Sequence, residues 1–187
     1  WMEEIMRTET DEIRDNLKYL TLLARDYPSQ AAAASEIIST QALLKLPKGT
    51  EHFLSDLHGE HAAFLHILHN ASGVIKRKIN DLYGDILSSH ERDMLSTLIY
   101  YPEQKMEQVI KTEENMEDWY KVTLYRLIRI CKGASSKYTR SKVRKALPKD
   151  FAYVIEELLT GRPDVSDQEA YYNEIIHSVI RTGRAAE

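Results

Sequence analysis

The feature that most constrains this chain is a solitary β signal in an otherwise helical sequence. Residues 51–55, with Phe53 and Leu54 at the centre, form the one stretch that predicts a strand. An isolated strand leaves N–H and C=O groups unpaired along both edges. The strand prediction can be wrong, the strand can pair with another chain, or the rest of its sheet can lie outside this sequence. The third solution is the expected one.

Everywhere else the apolar residues recur at helical spacing. Ile13, Leu17, Leu20 and Ala24 line a helix over 9–26 that stops before Pro28, and Ser29 caps a second through Leu43–Leu46. Pro47-Lys48-Gly49-Thr50 reads as a turn. Helices are expected over 59–71, from a break at Ser72-Gly73 to Tyr83, and from Ser88 or Ser89 to Tyr101-Pro102. Others follow over 103–113, 115–132, 135–146, 148–160 and 166–183, the last two separated by Gly161-Arg162-Pro163-Asp164. The expected fold class is mainly α: nine or ten helices with one isolated β-strand at 51–55.

A chain of 187 residues suits one domain, or one domain with an extension. Its net charge of −4 points to neither nucleic acid nor a membrane surface. One cysteine, Cys131, excludes an internal disulfide framework and fits a reducing cytoplasm. Cys131 also falls on an apolar helical face, which predicts a core residue. No apolar run reaches the roughly 18 residues of a membrane span.

The chemistry concentrates where the predicted strand ends, at Asp56-Leu57-His58-Gly59. Residues i and i+2 of a strand share a side, so Asp56 and His58 can project together. A carboxylate beside an imidazole is a half-site for a divalent cation such as Mn²⁺, Fe²⁺ or Zn²⁺. Capping and solvation would explain the same two residues without a metal. Glu60 suits the positive end of the following helix. His61, His66 and His69 are out of phase with one another, save for the i,i+3 pair His66 and His69, which predicts packed or solvated histidines.

A second concentration is basic. Residues 132–149 hold Lys132, Lys137, Arg140, Lys142, Arg144, Lys145 and Lys149 and no acidic residue. Lys137, Arg140, Lys142, Arg144 and Lys145 could bind the phosphate of a substrate or effector. They could equally form a solvated face that pairs with Glu113-Glu114 and Glu117-Asp118.

The chain resembles the N-terminal part of the class III fructose-1,6-bisphosphatases, built on a calcineurin-like metallophosphoesterase core. The resemblance rests on Leu17-Lys18-Tyr19-Leu20, on 51–60, on His69 to Lys76 and on Leu124-Tyr125-Arg126. It continues through Ser135 to Pro148 and Tyr171-Tyr172-Asn173-Glu174-Ile175-Ile176, so it covers the chain from about residue 9 onward. It implies hydrolysis of fructose 1,6-bisphosphate with two cations, Mn²⁺ as the metal, and Asp56 and His58 as ligands of the first. It also implies that strand 51–55 belongs to an α/β/β/α sandwich in the full-length protein.

Such enzymes continue with Gly-Asp-x-x-Asp-Arg-Gly and Gly-Asn-His-Glu or -Asp, and neither occurs here. Gly84-Asp85-Ile86-Leu87 starts like the former but continues Ser88-Ser89, and is expected to be a turn. The missing blocks would lie beyond residue 187, and this portion alone is expected to be inactive with its metal site unfilled. The implied division is a helical extension over 1–50, the first strand, metal loop and helix over 51–72, and a helical insertion over 73–187. A homo-oligomer is expected, since a missing core leaves apolar faces uncovered. The alternative is a non-enzymatic helical module for assembly or regulation.

Overall fold

Local capping chemistry sets many of the element boundaries. The structure, a computed structural model, describes residues 2–48, 51–70, 73–162 and 164–187, with side chains from Arg14 onward. Gly49-Thr50 of the expected turn, Ser72 of the expected break, Pro163 and the Ile13 side chain lie outside the described residues. Ten helices and no strand occur among those described.

The chain divides into two units, Trp1–Pro47 and Lys48–Glu187. The first is a helical hairpin of α1 (Met2–Asp26) and α2 (Gln30–Leu43). Ser29 caps α2 as expected, its Oγ accepting from Ala32 N at 3.1 Å. Leu23 of α1 and Tyr27, which follows the helix, share a cleft with Ala33, Ile37 and Thr40 of α2. Leu17 and Leu20, from the expected apolar face of α1, are 56% and 55% exposed.

The second unit contains α3 (His61–Asn70), α4 (Val74–Tyr83), α5 (Ser89–Tyr100), α6 (Pro102–Thr112) and α7 (Met116–Ser135). It closes with α8 (Arg140–Ala146), α9 (Ala152–Thr160) and α10 (Ser166–Arg181). Ser88 opens α5 with a reciprocal capping box: Glu91 N donates to Ser88 Oγ and Ser88 N to the Glu91 carboxylate. Ser88 N and Ser88 Oγ both donate to the Glu91 carboxylate and, joined by the Arg126 guanidinium at 3.1 Å, hold it below its usual range. The segment Gly84 to Leu87 is the expected turn, closed by Ile86 N and Leu87 N donating to Tyr83 O. Arg92 fastens it from α5, donating to Asn80 Oδ1 at 2.9 Å and to Gly84 O at 3.1 Å.

Helix α7 packs against α4 on one side and against α9 and α10 on another. The first contact buries Ile79, Tyr83, Leu87, Leu95 and Ile130, with Leu82 and Leu127 at the margin. The second buries Leu158, Tyr172 and Ile176 against Leu124, Tyr125 and Ile128. Gly161 is required there, since a Cβ would lie 2.8 Å from Glu157 O and 3.0 Å from the Tyr172 ring. Lys132 crosses the same seam, its Nζ donating to Gly161 O at 2.8 Å and lying 5.7 Å from the Tyr172 ring centroid.

Burial, with Tyr125 beside it, pushes the Tyr172 hydroxyl up to about 12 from an ordinary 10.0. A raised folded value means the stabilisation is complete below pH 10 and is lost as pH rises towards 12. Urea unfolding at stepped pH is expected to show stability falling across that window, with Tyr172 contributing on the order of 1–2 kcal/mol. Tyr172→Phe is expected to make the fall shallower, because the unfolded chain then has one phenol fewer to ionise.

The expected strand is absent. Residues 51–57 carry no regular structure, every one is exposed, and Phe53 is 89% exposed. The sandwich implied for it is likewise absent among the described residues. The physical reason is non-local: β propensity acts through pairing and packing, and no described segment supplies an edge to pair with.

Candidate metal half-site and basic cleft

The turn after the extended segment brings Asp56 and His58 together. Glu60 N donates to Leu57 O at 2.8 Å, closing a turn whose central residues are both left-handed, His58 at φ 46° and Gly59 at φ 75°. This is the hairpin-type turn that glycine favours at positive φ. Holding His58, a residue with a Cβ, in the same region costs about 1 kcal/mol or more. The outcome places His58 Nε2 3.7 Å from Asp56 Oδ2, with the side chains 80% and 76% exposed. Strand alternation is thus replaced by a turn as the cause of the juxtaposition.

Helix α3 starts two residues later than expected, at His61, with Phe64 N donating to Glu60 O at 3.0 Å. Glu60 therefore stands at the cap, not inside the first turn. The α3 histidines hold the helix to the end of α5. Asn70 Nδ2 donates to His66 Nε2 at 3.0 Å, which leaves Nδ1 protonated and donating to the Tyr101 hydroxyl. His69 Nδ1 donates to Tyr100 O at 2.7 Å, and Lys76 N donates to the Tyr100 hydroxyl at 3.1 Å. The Tyr101 ring lies against both imidazoles. His61, His66 and His69 are exposed, on the solvated side of the expectation, and the tyrosine pair that receives His66 and His69 is 31 and 35 residues away and escapes a local pattern.

Asp56 and His58 supply an oxygen and a nitrogen suited to a divalent cation. No group of three or more His, Cys, Asp or Glu side chains that could hold a metal occurs among the described residues. The pair fits half of a coordination shell, and catalytic sites use at least three protein ligands per ion.

The basic run divides between two places. Lys132 is spent on the α7–α9 seam, where burial lowers its pKa against the pull of Asp164. Arg140 and Arg144 line a cleft with Tyr138, Val143, Glu156 and Leu159. Arg144 Nε meets Glu156 Oε2 at 3.3 Å, while Lys137 and Lys142 place Nζ at 5.4 and 4.8 Å from the Tyr138 ring centroid. The carboxylate that meets the basic run is thus Glu156, while Asp118 of the acidic stretch is bonded to Asn115, which caps α7 and donates to it at 2.6 Å. Cys131 is exposed rather than core, lining an apolar cleft with Phe151 and Ile155, and its desolvation pushes the thiol up.

With this geometry in place, relatives narrow the reading. The Firmicute fructose-1,6-bisphosphatase family matches residues 18–187. The chain belongs to that family. It is 61% identical over 180 residues to a class 3 fructose-1,6-bisphosphatase of Clostridium acetobutylicum, covering 96% of this chain and 27% of the relative. A Clostridium beijerinckii relative is 62% identical over 178 residues, covering 95% and 27%. One from Clostridium botulinum, strain Loch Maree, is 62% identical over 175 residues, covering 94% and 26%. The chain thus spans about a quarter of the length of these fructose-1,6-bisphosphatases. No solved structure matches it.

Proposed function

We propose that this chain is the N-terminal portion of a metal-dependent fructose-1,6-bisphosphatase that hydrolyses fructose 1,6-bisphosphate to fructose 6-phosphate and phosphate. The observation that carries the reading is the family match over 18–187, which includes the Asp56-x-His58 turn. That match favours the enzyme over an assembly module.

In the reading, the Asp56 carboxylate and the His58 imidazole hold one divalent cation, with Mn²⁺ the proposed metal. Held there, such an ion would supply Lewis acidity for a phosphoryl oxygen and for a bound water. What the residues here supply is orientation. The Leu57–Glu60 turn fixes His58, and the histidine–tyrosine contacts anchor the helix behind it. The remaining ligands come from the further length that the relatives possess.

The reading extends to a cytoplasmic protein of sugar-phosphate metabolism. No described helix is long and apolar enough to cross a membrane. Self-association belongs to it as well, supported by apolar side chains such as Phe53 standing in water.

The test is phosphate release from fructose 1,6-bisphosphate with Mn²⁺. A parent chain of the relatives' length is expected to release phosphate and to stop when the metal is chelated. The 187-residue chain alone is expected to release none. A full-length protein without activity on this substrate would refute the assignment.

A further inference from the structure

We infer that the cleft between α8 and α9 is a binding site for a small hydroxylated organic phosphate. This does not rest on the phosphatase reading, because none of its residues belongs to the Asp56–His58 pair.

The argument starts from charge. Lys137, Arg140, Lys142, Arg144 and Lys145 lie within nine successive positions, and Glu156 is the one carboxylate that lines the cleft. Arg144 is paired with it, whereas Arg140, Lys142 and Lys145 have no carboxylate within ion-pair reach among the described residues. Lys137 and Lys142 both converge on the Tyr138 ring. Arg140 and Arg144 line the cleft itself and the three lysines lie on the same short segment beside it, which raises the local potential and draws an anion.

Shape and chemistry then select the anion. The cleft measures about 250 Å³ and is lined by apolar Val143, Leu147 and Leu159 together with Arg140 and Arg144. That volume suits one sugar-sized ring and is small for a dinucleotide. A guanidinium presents parallel N–H groups that match two phosphate oxygens. Arg140 is the guanidinium available for this, since Arg144, the other one that lines the cleft, is already paired with Glu156. Glu156 uses one oxygen on Arg144 and keeps lone pairs that accept from ligand hydroxyls. Phosphate at Arg140 and hydroxyls at Glu156 define the ligand class.

Calorimetric titration of the 187-residue chain with fructose 6-phosphate, inorganic phosphate and fructose tests the assignment. Fructose 6-phosphate is expected to bind about tenfold more tightly than inorganic phosphate, with no binding by fructose. Arg140→Gln is expected to weaken fructose 6-phosphate about tenfold. Glu156→Gln is expected to narrow the gap between fructose 6-phosphate and inorganic phosphate. Asp56→Ala is expected to change neither, which separates this cleft from the proposed metal turn. Circular dichroism confirms that each variant is folded. The inference is overturned if fructose 6-phosphate does not bind up to roughly 10 mM, if Arg140→Gln leaves its binding intact, or if Asp56→Ala abolishes it.

Discussion

Leu95→Ala is expected to lower the stability of the Lys48–Glu187 unit by about 2–5 kcal/mol, read as a shift of the urea midpoint. Leu95 is fully buried at 0% exposure, in one cluster with Ile79, Tyr83, Leu87 and Ile130. The truncation removes three carbons from a site walled by α4, α5 and α7, and those helices cannot close the gap without losing other contacts. Ile86→Ala supplies the contrast: that side chain is 64% exposed, and its loss is expected to cost less than about 0.5 kcal/mol. A cost below about 1 kcal/mol for Leu95→Ala would mean that the cluster is not a cooperative core. Since α7 carries both buried clusters, the expected unfolding of the unit is a single transition rather than two.

What the sequence discloses depends on how far apart the interacting groups lie. Ser29 and Ser88 reveal the starts of α2 and α5 because a cap is chemistry between residues three positions apart. Thr139 obeys the same rule but was hidden inside an expected helix over 135–146. Its hydroxyl accepts from Lys142 N and restarts the chain as a separate short helix. Residues 51–55 fail as a strand because strand formation depends on partners distant in sequence, which apolar content alone does not guarantee.

The candidate sites divide along the same line. Asp56 and His58 are visible as a motif, yet the left-handed turn that joins them is not, since a positive φ at a histidine is rare without tertiary or ligand demands. Arg140 and Arg144 are visible as charge. The cleft they share with Glu156 exists only because α8 folds beside α9, a contact no spacing rule announces.

Asp56→Ala and His58→Ala are each expected to lower Mn²⁺-dependent phosphate release by at least about a thousandfold in a chain of the relatives' length. The carboxylate is the harder ligand and the only anion of the pair, so its loss removes both a bond and charge that offsets the cation. His58→Ala removes the nitrogen donor while keeping a Cβ on the left-handed backbone at φ 46°, so the turn's conformational cost is unchanged. Both side chains are more than three-quarters exposed, so neither truncation opens a core cavity, and thermal stability without metal is expected to stay within about 0.5 kcal/mol of the parent. The two readouts together discriminate the roles. Lost activity with unchanged metal-free stability marks ligands, whereas equal losses in both would mark a structural turn. Gly59→Ala provides the geometric control: φ 75° disfavours any Cβ although nothing lies within 4 Å of it. That variant is expected to retain both donors, lose about 1 kcal/mol of stability and bind Mn²⁺ more weakly, because the turn no longer holds His58 Nε2 beside Asp56 Oδ2.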